Sequence, residues 1–178
     1  IEIAKLRFGA GQTEAGFKAI NTWLAAHPNS VRGIAFLAES LAAHGKDDDA
    51  VKAYEKILKL EPENPIALNN LANIFLNSDV AKALDFAERA HKQAPNDISI
   101  TDTLGWSLLK KGETKRAMEL LDRAFHAAPN VAEIHFHYAA ALAQNDQKPK
   151  ARKELEKILA IPGEFPLKQD VKALLATL

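Results

Sequence analysis

The 178-residue chain contains no cysteine, which excludes disulfides and thiolate chemistry. It also lacks an excess charge of either sign. Twenty-three Lys and Arg balance 23 Asp and Glu, so no global field draws it toward nucleic acid or an acidic membrane surface. No apolar run approaches the roughly 18 residues of a membrane span. Only two tryptophans are present. What remains is ordinary globular composition, 47% apolar and 26% charged, at a length that allows one or two domains. The opening IEIAKLRF has neither a methionine nor a signal-like apolar stretch and reads as helix interior, so the chain is expected to be cut from a longer one.

The prolines expose a repeat. Pro28, Pro62, Pro95, Pro129 and Pro162 are separated by 34, 33, 34 and 33 residues. The first four sit in HPNS, EPEN, APND and APNV, each after an apolar-periodic segment that proline would stop as a helix. Superposition gives four full units, Val31–Asn64, Pro65–Asp97, Ile98–Val131 and Ala132–Pro162, after a partial unit Ile1–Ser30. Each full unit carries two amphipathic helix-length segments around a turn. Gly11, Gly45 and Gly112 occupy that turn in three units, where a left-handed residue is expected. In the Pro65 unit the turn NSDVAK is one residue short. In the last, NDQKP serves, with Pro149 acceptable in the first turn of the next helix.

The columns of the repeat separate large from small. The seventh holds Leu37, Leu71, Leu104 and Tyr138; the eighth holds Ala38, Ala72, Gly105 and Ala139. The eleventh holds Leu41, Phe75, Leu108 and Leu142, and the twentieth is always alanine: Ala50, Ala83, Ala117 and Ala151. Large apolar residues one turn apart make one buried helix face. The small ones let the second helix approach, where a longer side chain would hold the backbones apart. Gly105 costs a helix roughly 1 kcal/mol relative to alanine, so its place among alanines predicts a packing notch.

Small residues in columns eight and twenty, Leu in seven, proline near thirty-two and a 34-residue period resemble the tetratricopeptide repeat. That resemblance covers nearly the whole chain. It implies an all-α, right-handed superhelical solenoid of antiparallel helix pairs with a concave groove, about eleven helices and no sheet. Stacking is physically required, since one helical hairpin cannot bury its own apolar face. Residues 163–178 place Leu167, Val171, Leu174, Leu175 and Leu178 on one face, with Lys168, Gln169, Asp170 and Lys172 opposite, as a capping helix would. The order ALNNLANIFL, TDTLGWSLLKKG, EIHFHYAAALAQ, ARKELEKIL and FPLKQDVKALL is similar to the C-terminal part of bacterial PEP-CTERM-system TPR-repeat lipoproteins. That likeness implies a periplasmic or outer-membrane-attached array serving exopolysaccharide export and protein sorting.

In such arrays the first helix of each repeat lines the groove. Columns two, five, six, nine, twelve and thirteen then place Arg32, Phe36, Glu39, Asn69, Asn70, Asn73, Asn77, Asp102, Trp106, Lys110, Glu133, Phe136, His137 and Gln144 toward it. Trp106 between Asp102 and Lys110 has the composition of a binding hot spot; alternatively its ring packs on Phe136 within the superhelix. Asn69, Asn73 and Asn77 recur every fourth residue, an amide ladder suited to the alternating donors and acceptors of an extended peptide. For Asn70 a backbone hydrogen bond is the expected role. The groove residues expected to meet a partner are Trp106, Asp102, Lys110, Asn69, Asn73, Asn77, Phe136, Glu39 and His137. The lysines by which some relatives grip a terminal carboxylate are missing: column five reads Ala35, Asn69, Asp102 and Phe136.

No catalytic or cofactor-binding constellation stands beside this. His27, His44, His91 and His126 fall near helix ends, where a cation complements the dipole. His135 and His137 are two apart, so they point to different sides and cannot share a metal. Asp47–Asp49 opens a helix and lacks the alternating ligands of a calcium loop. Gly9-Ala10-Gly11 follows no strand and is not a phosphate loop. The basic group around Lys110 and Lys115 is neutralised by Glu113 and Glu119, unlike a nucleic-acid stripe. The expected function is a non-enzymatic scaffold, without cofactor, that binds a protein or peptide. A structural spacer within an envelope assembly and a carbohydrate-binding groove are the alternatives.

Overall fold

Each interruption of the apolar pattern is a helix end. The computed structural model describes residues 1–161 and 166–178. Those residues form eleven helices and no strand: α1 (Glu2–Gly9), α2 (Thr13–Ala26), α3 (Val31–Ala43), α4 (Asp47–Leu60), α5 (Pro65–Phe75), α6 (Val80–Gln93), α7 (Ile98–Lys111), α8 (Thr114–Ala127), α9 (Ala132–Gln144), α10 (Lys148–Leu159) and α11 (Lys168–Ala176). The stop expected at Pro162 and the start of the capping segment at Gly163–Phe165 lie outside the described residues.

The turns explain the hairpins. Gly11, Gly45 and Gly112 have φ of 71°, 69° and 87°, and Asp146 takes the same left-handed place at 58°. In all four turns the following amide reaches a carbonyl five residues back: Gln12 to Arg7, Lys46 to Leu41, Glu113 to Leu108 and Gln147 to Leu142, each at 2.9 Å. The shortened turn after α5 closes differently, with the Asp79 amide donating to Phe75 at 2.8 Å. Helix starts are periodic as well. Ser30 Oγ, Asn64 Oδ1 and Asp97 Oδ1 accept from the backbone amides of Gly33, Ala67 and Ile100 at the heads of α3, α5 and α7. Val131, in the fourth unit, supplies no such cap.

Each helix packs chiefly on its hairpin partner and then on the next hairpin, while α5, α7 and α9 also touch one another in series. The alanines of columns eight and twenty are fully buried at these crossings. Gly105 is a notch in the strict sense: an added Cβ would lie 2.7 Å from Leu121 Cγ and 3.3 Å from Leu120 Cβ. The apolar core runs along the array in succession. One cluster gathers Phe17, Ile34, Tyr54 and Leu71, the next Leu84, Leu104, Leu108 and Leu121. The last joins Phe136, Leu155 and Ile158 to Val171, with Leu167, Leu174, Leu175 and Leu178 of the terminal segment packed against it. Burying one such aliphatic or aromatic side chain contributes roughly 1.5–3 kcal/mol, so α11 closes the end of the core that α10 would otherwise leave open.

Candidate partner-binding groove

Helices α5, α7 and α9 touch in series, and a cavity of about 590 Å³ opens between them and the segment leading into α11. Of the nine residues expected to meet a partner, eight line this cavity: Asn69, Asn73, Asn77, Asp102, Trp106, Lys110, Phe136 and His137. Glu39 does not. It borders a separate cavity of about 400 Å³ with Arg32, Phe36 and Lys5, and its carboxylate adds to the burial that pushes the Tyr54 phenol well above its usual range.

The floor differs from the expectation. Asp102, His137 and Phe136 are only 6%, 6% and 7% exposed, so they are built into the wall instead of standing out from it. Asp102 Oδ2 accepts a 2.8 Å hydrogen bond from His137 Nδ1, which joins α7 to α9. The Trp106 ring is not free. His137 stacks on it, with centroids 4.1 Å apart and planes 15° apart, Phe136 lies 6.0 Å away, and the Lys110 ammonium sits 4.8 Å from the ring centre. Trp106 therefore packs in the superhelix and borders the cavity at the same time.

The amides also depart from a simple ladder. Helix α5 ends at Phe75, because Leu76 is drawn into the core and the turn is short. Asn77 thus belongs to the turn and not to the helix face, although it still lines the cavity beside Asn73. Asn70 Nδ2 donates to the Ile66 carbonyl at 3.0 Å, its expected backbone role. Two acceptors in the cavity wall, Asn69 Oδ1 and Asp102 Oδ1, are buried without a donor.

His135 and His137 point to different neighbours. His135 Nε2 bonds Glu154 of α10 at 2.9 Å; burial opposes ionisation of Glu154, but hydrogen bonds from Lys157 and His135 hold its carboxyl below the usual range. His27, His44 and His126 place Nδ1 2.7–2.9 Å from the carbonyl four residues back, sealing helix ends by a specific bond and not by charge alone. His91 is a correction. Burial, then the Arg123 charge, lower its proton affinity, and Nε2 faces the Arg123 guanidinium at 3.0 Å. It serves as an acceptor, not as a cation for the dipole.

Arg123 belongs to a device the sequence reading missed. From α8 it donates to the Pro95 carbonyl at 3.1 Å and to Thr101 Oγ1 at 3.0 Å. Arg89, on α6, donates to the Pro62 carbonyl at 3.0 Å and to Glu63. Each arginine ties its own repeat to the proline turn before it. The signal was present as a basic column, Lys56, Arg89, Arg123 and Lys157, in equivalent places of the four units.

Comparison with known proteins agrees with this architecture. Two family profiles, both described as tetratricopeptide repeat, match residues 36–98 and 108–178. Among curated proteins, the BBSome complex member BBS4 of Bos taurus is 23% identical over 158 residues, covering 88% of this chain and 30% of the relative. The chain thus spans less than a third of that protein's length. A solved thermophilic TPR protein of Thermus thermophilus superposes with a TM-score of 0.75 at 16% identity, covering 98% of this chain and 96% of the other. YrrB, described as a TPR protein with an unusual peptide-binding site, gives 0.68 at 19% identity over 89% of this chain and 81% of its own.

Proposed function

The chain belongs to the tetratricopeptide-repeat family, and we propose that it is an interaction scaffold whose concave groove holds an extended polypeptide segment. One observation carries the reading: seven residues of α5, α7 and α9, with Asn77 of the turn after α5, converge on a single cavity. The exposed amides of Asn73 and Asn77 offer both donors and acceptors to a peptide backbone. The fold itself supports peptide sites, as the description of YrrB states for that protein. A sugar would need an open aromatic face, and Trp106 has His137 on its ring and Lys110 beside it, which weighs against the carbohydrate alternative. The phrases shared with PEP-CTERM-system lipoproteins add the finer proposal that the scaffold serves an envelope export or sorting assembly.

Selection of a random linear peptide library against the chain tests the groove. Selected peptides are expected to lose roughly tenfold or more in affinity to Asn73→Ala plus Asn77→Ala, two exposed positions that spare the core. Peptides that bind this variant as tightly as the parent would contradict the reading.

A further inference from the structure

The charges around the cavity are one-sided. Among the described residues, three carboxylates, Asp102, Glu133 and Asp170, line it against one ammonium, Lys110, with His137 the remaining titratable group. Lys110 is drawn to the Trp106 ring. Glu133 and Asp170 are exposed, and neither has an ion-pair partner among the described residues. Excess negative charge in a concave, partly dehydrated site focuses potential toward its interior.

Hydrogen bonding gives the same sign independently. Asp102 is nine-tenths buried and lines the cavity; Oδ2 is matched by His137, while Oδ1 has no donor. Asn69 Oδ1, in the same wall, is equally unmatched. A buried carboxylate oxygen without a donor is costly, so the wall at Asp102 lacks a donor. A carboxylate or phosphate would bring more acceptors into it. A guanidinium brings five N–H donors and an ammonium three, with no acceptor in either.

We propose that this cavity receives the cationic side chain, arginine or lysine, of the bound segment, an inference that rests on the groove reading above. The cation enters between Glu133 and Asp170 and directs its N–H groups at the wall holding Asp102 and Asn69. The polypeptide backbone continues past Asn73 and Asn77. Lys110 marks the repulsive edge that positions it.

The peptide selection separates this inference from its premise. Binders are expected to share one arginine or lysine, and the enriched residue tells guanidinium from ammonium. Replacing it by citrulline or acetyl-lysine is expected to lower affinity roughly tenfold. Glu133→Gln and Asp170→Asn, both at exposed positions, are each expected to weaken the parent peptide roughly two- to fivefold. Lys110→Gln is expected to tighten it. Peptides that need Asn73 and Asn77 yet keep full affinity on charge removal overturn the cation inference and leave the groove standing. A selection that yields no groove-binding peptide overturns both.

Discussion

Asp102 and His137, thirty-five residues apart, share a 2.8 Å hydrogen bond almost out of solvent, and this bond fixes the spacing of α7 and α9 beneath the Trp106 ring. Removing one partner of a buried charged hydrogen bond strands the other. Asp102→Leu is therefore expected to lower stability by about 2–4 kcal/mol, and Asp102→Leu with His137→Leu together by less than the sum of the two single changes. Urea unfolding of the three variants measures the coupling; strict additivity would show that the bond contributes nothing specific.

Gly105 and Leu121 form a second coupled pair. An alanine would regain roughly 1 kcal/mol of helix propensity, but its Cβ would lie 2.7 Å from Leu121 Cγ. Overpacking typically costs about 1–3 kcal/mol, so the clash wins. Gly105→Ala is expected to lower the melting temperature and Gly105→Leu to lower it further. Leu121→Ala in the same chain is expected to relieve part of the Gly105→Ala loss, read as a double-mutant cycle.

Arg123 should matter more than an exposed arginine usually does. Exposed ion pairs contribute about 0–1 kcal/mol, whereas Arg123 satisfies the Pro95 carbonyl, Thr101 and His91 at a repeat junction. Arg123→Met is expected to cost about 1–3 kcal/mol and to speed hydrogen exchange at the start of α7 first. A surface control, Arg152→Met, is expected to be near neutral.

His91 gives the array a pH dependence. Its proton affinity is lowered in the folded state, so its contribution is complete above the unfolded value of 6.5 and is lost as pH falls through the lower folded value. Stability of the parent is expected to decline from pH 7 toward 5 more steeply than that of His91→Gln. Denaturant midpoints across that interval provide the difference, in which the other histidines cancel. Parallel curves would contradict the assignment.

The periodicity made the hairpins legible because the constraints are local. A left-handed residue closes four of the five hairpin turns, and Gly11, Gly45 and Gly112 stand in three of them with positive φ. Small residues must fill the crossings, and Ala38, Ala72, Ala139 and Gly105 are buried in them. The site was legible by column and not by contact. Column positions do place Asn69, Asp102, Trp106, Phe136 and His137 along one cavity. They do not show that His137 turns back onto Asp102 and Trp106, since both partners come from the preceding repeat. Asn77 slipped off the helix because one deleted turn residue moved the end of α5. Glu39 parted from the rest because its repeat lies beside another cavity, one formed with α1 and α3.

The central claim is that an extended polypeptide lies across α5, α7 and α9. A crystal structure of the chain with a selected peptide tests it most directly. The account predicts peptide backbone hydrogen-bonded to the Asn73 and Asn77 side chains, with a guanidinium or ammonium seated between Glu133 and Asp170. A peptide lying instead on α6, α8 or α10, with the cavity unchanged, would contradict it.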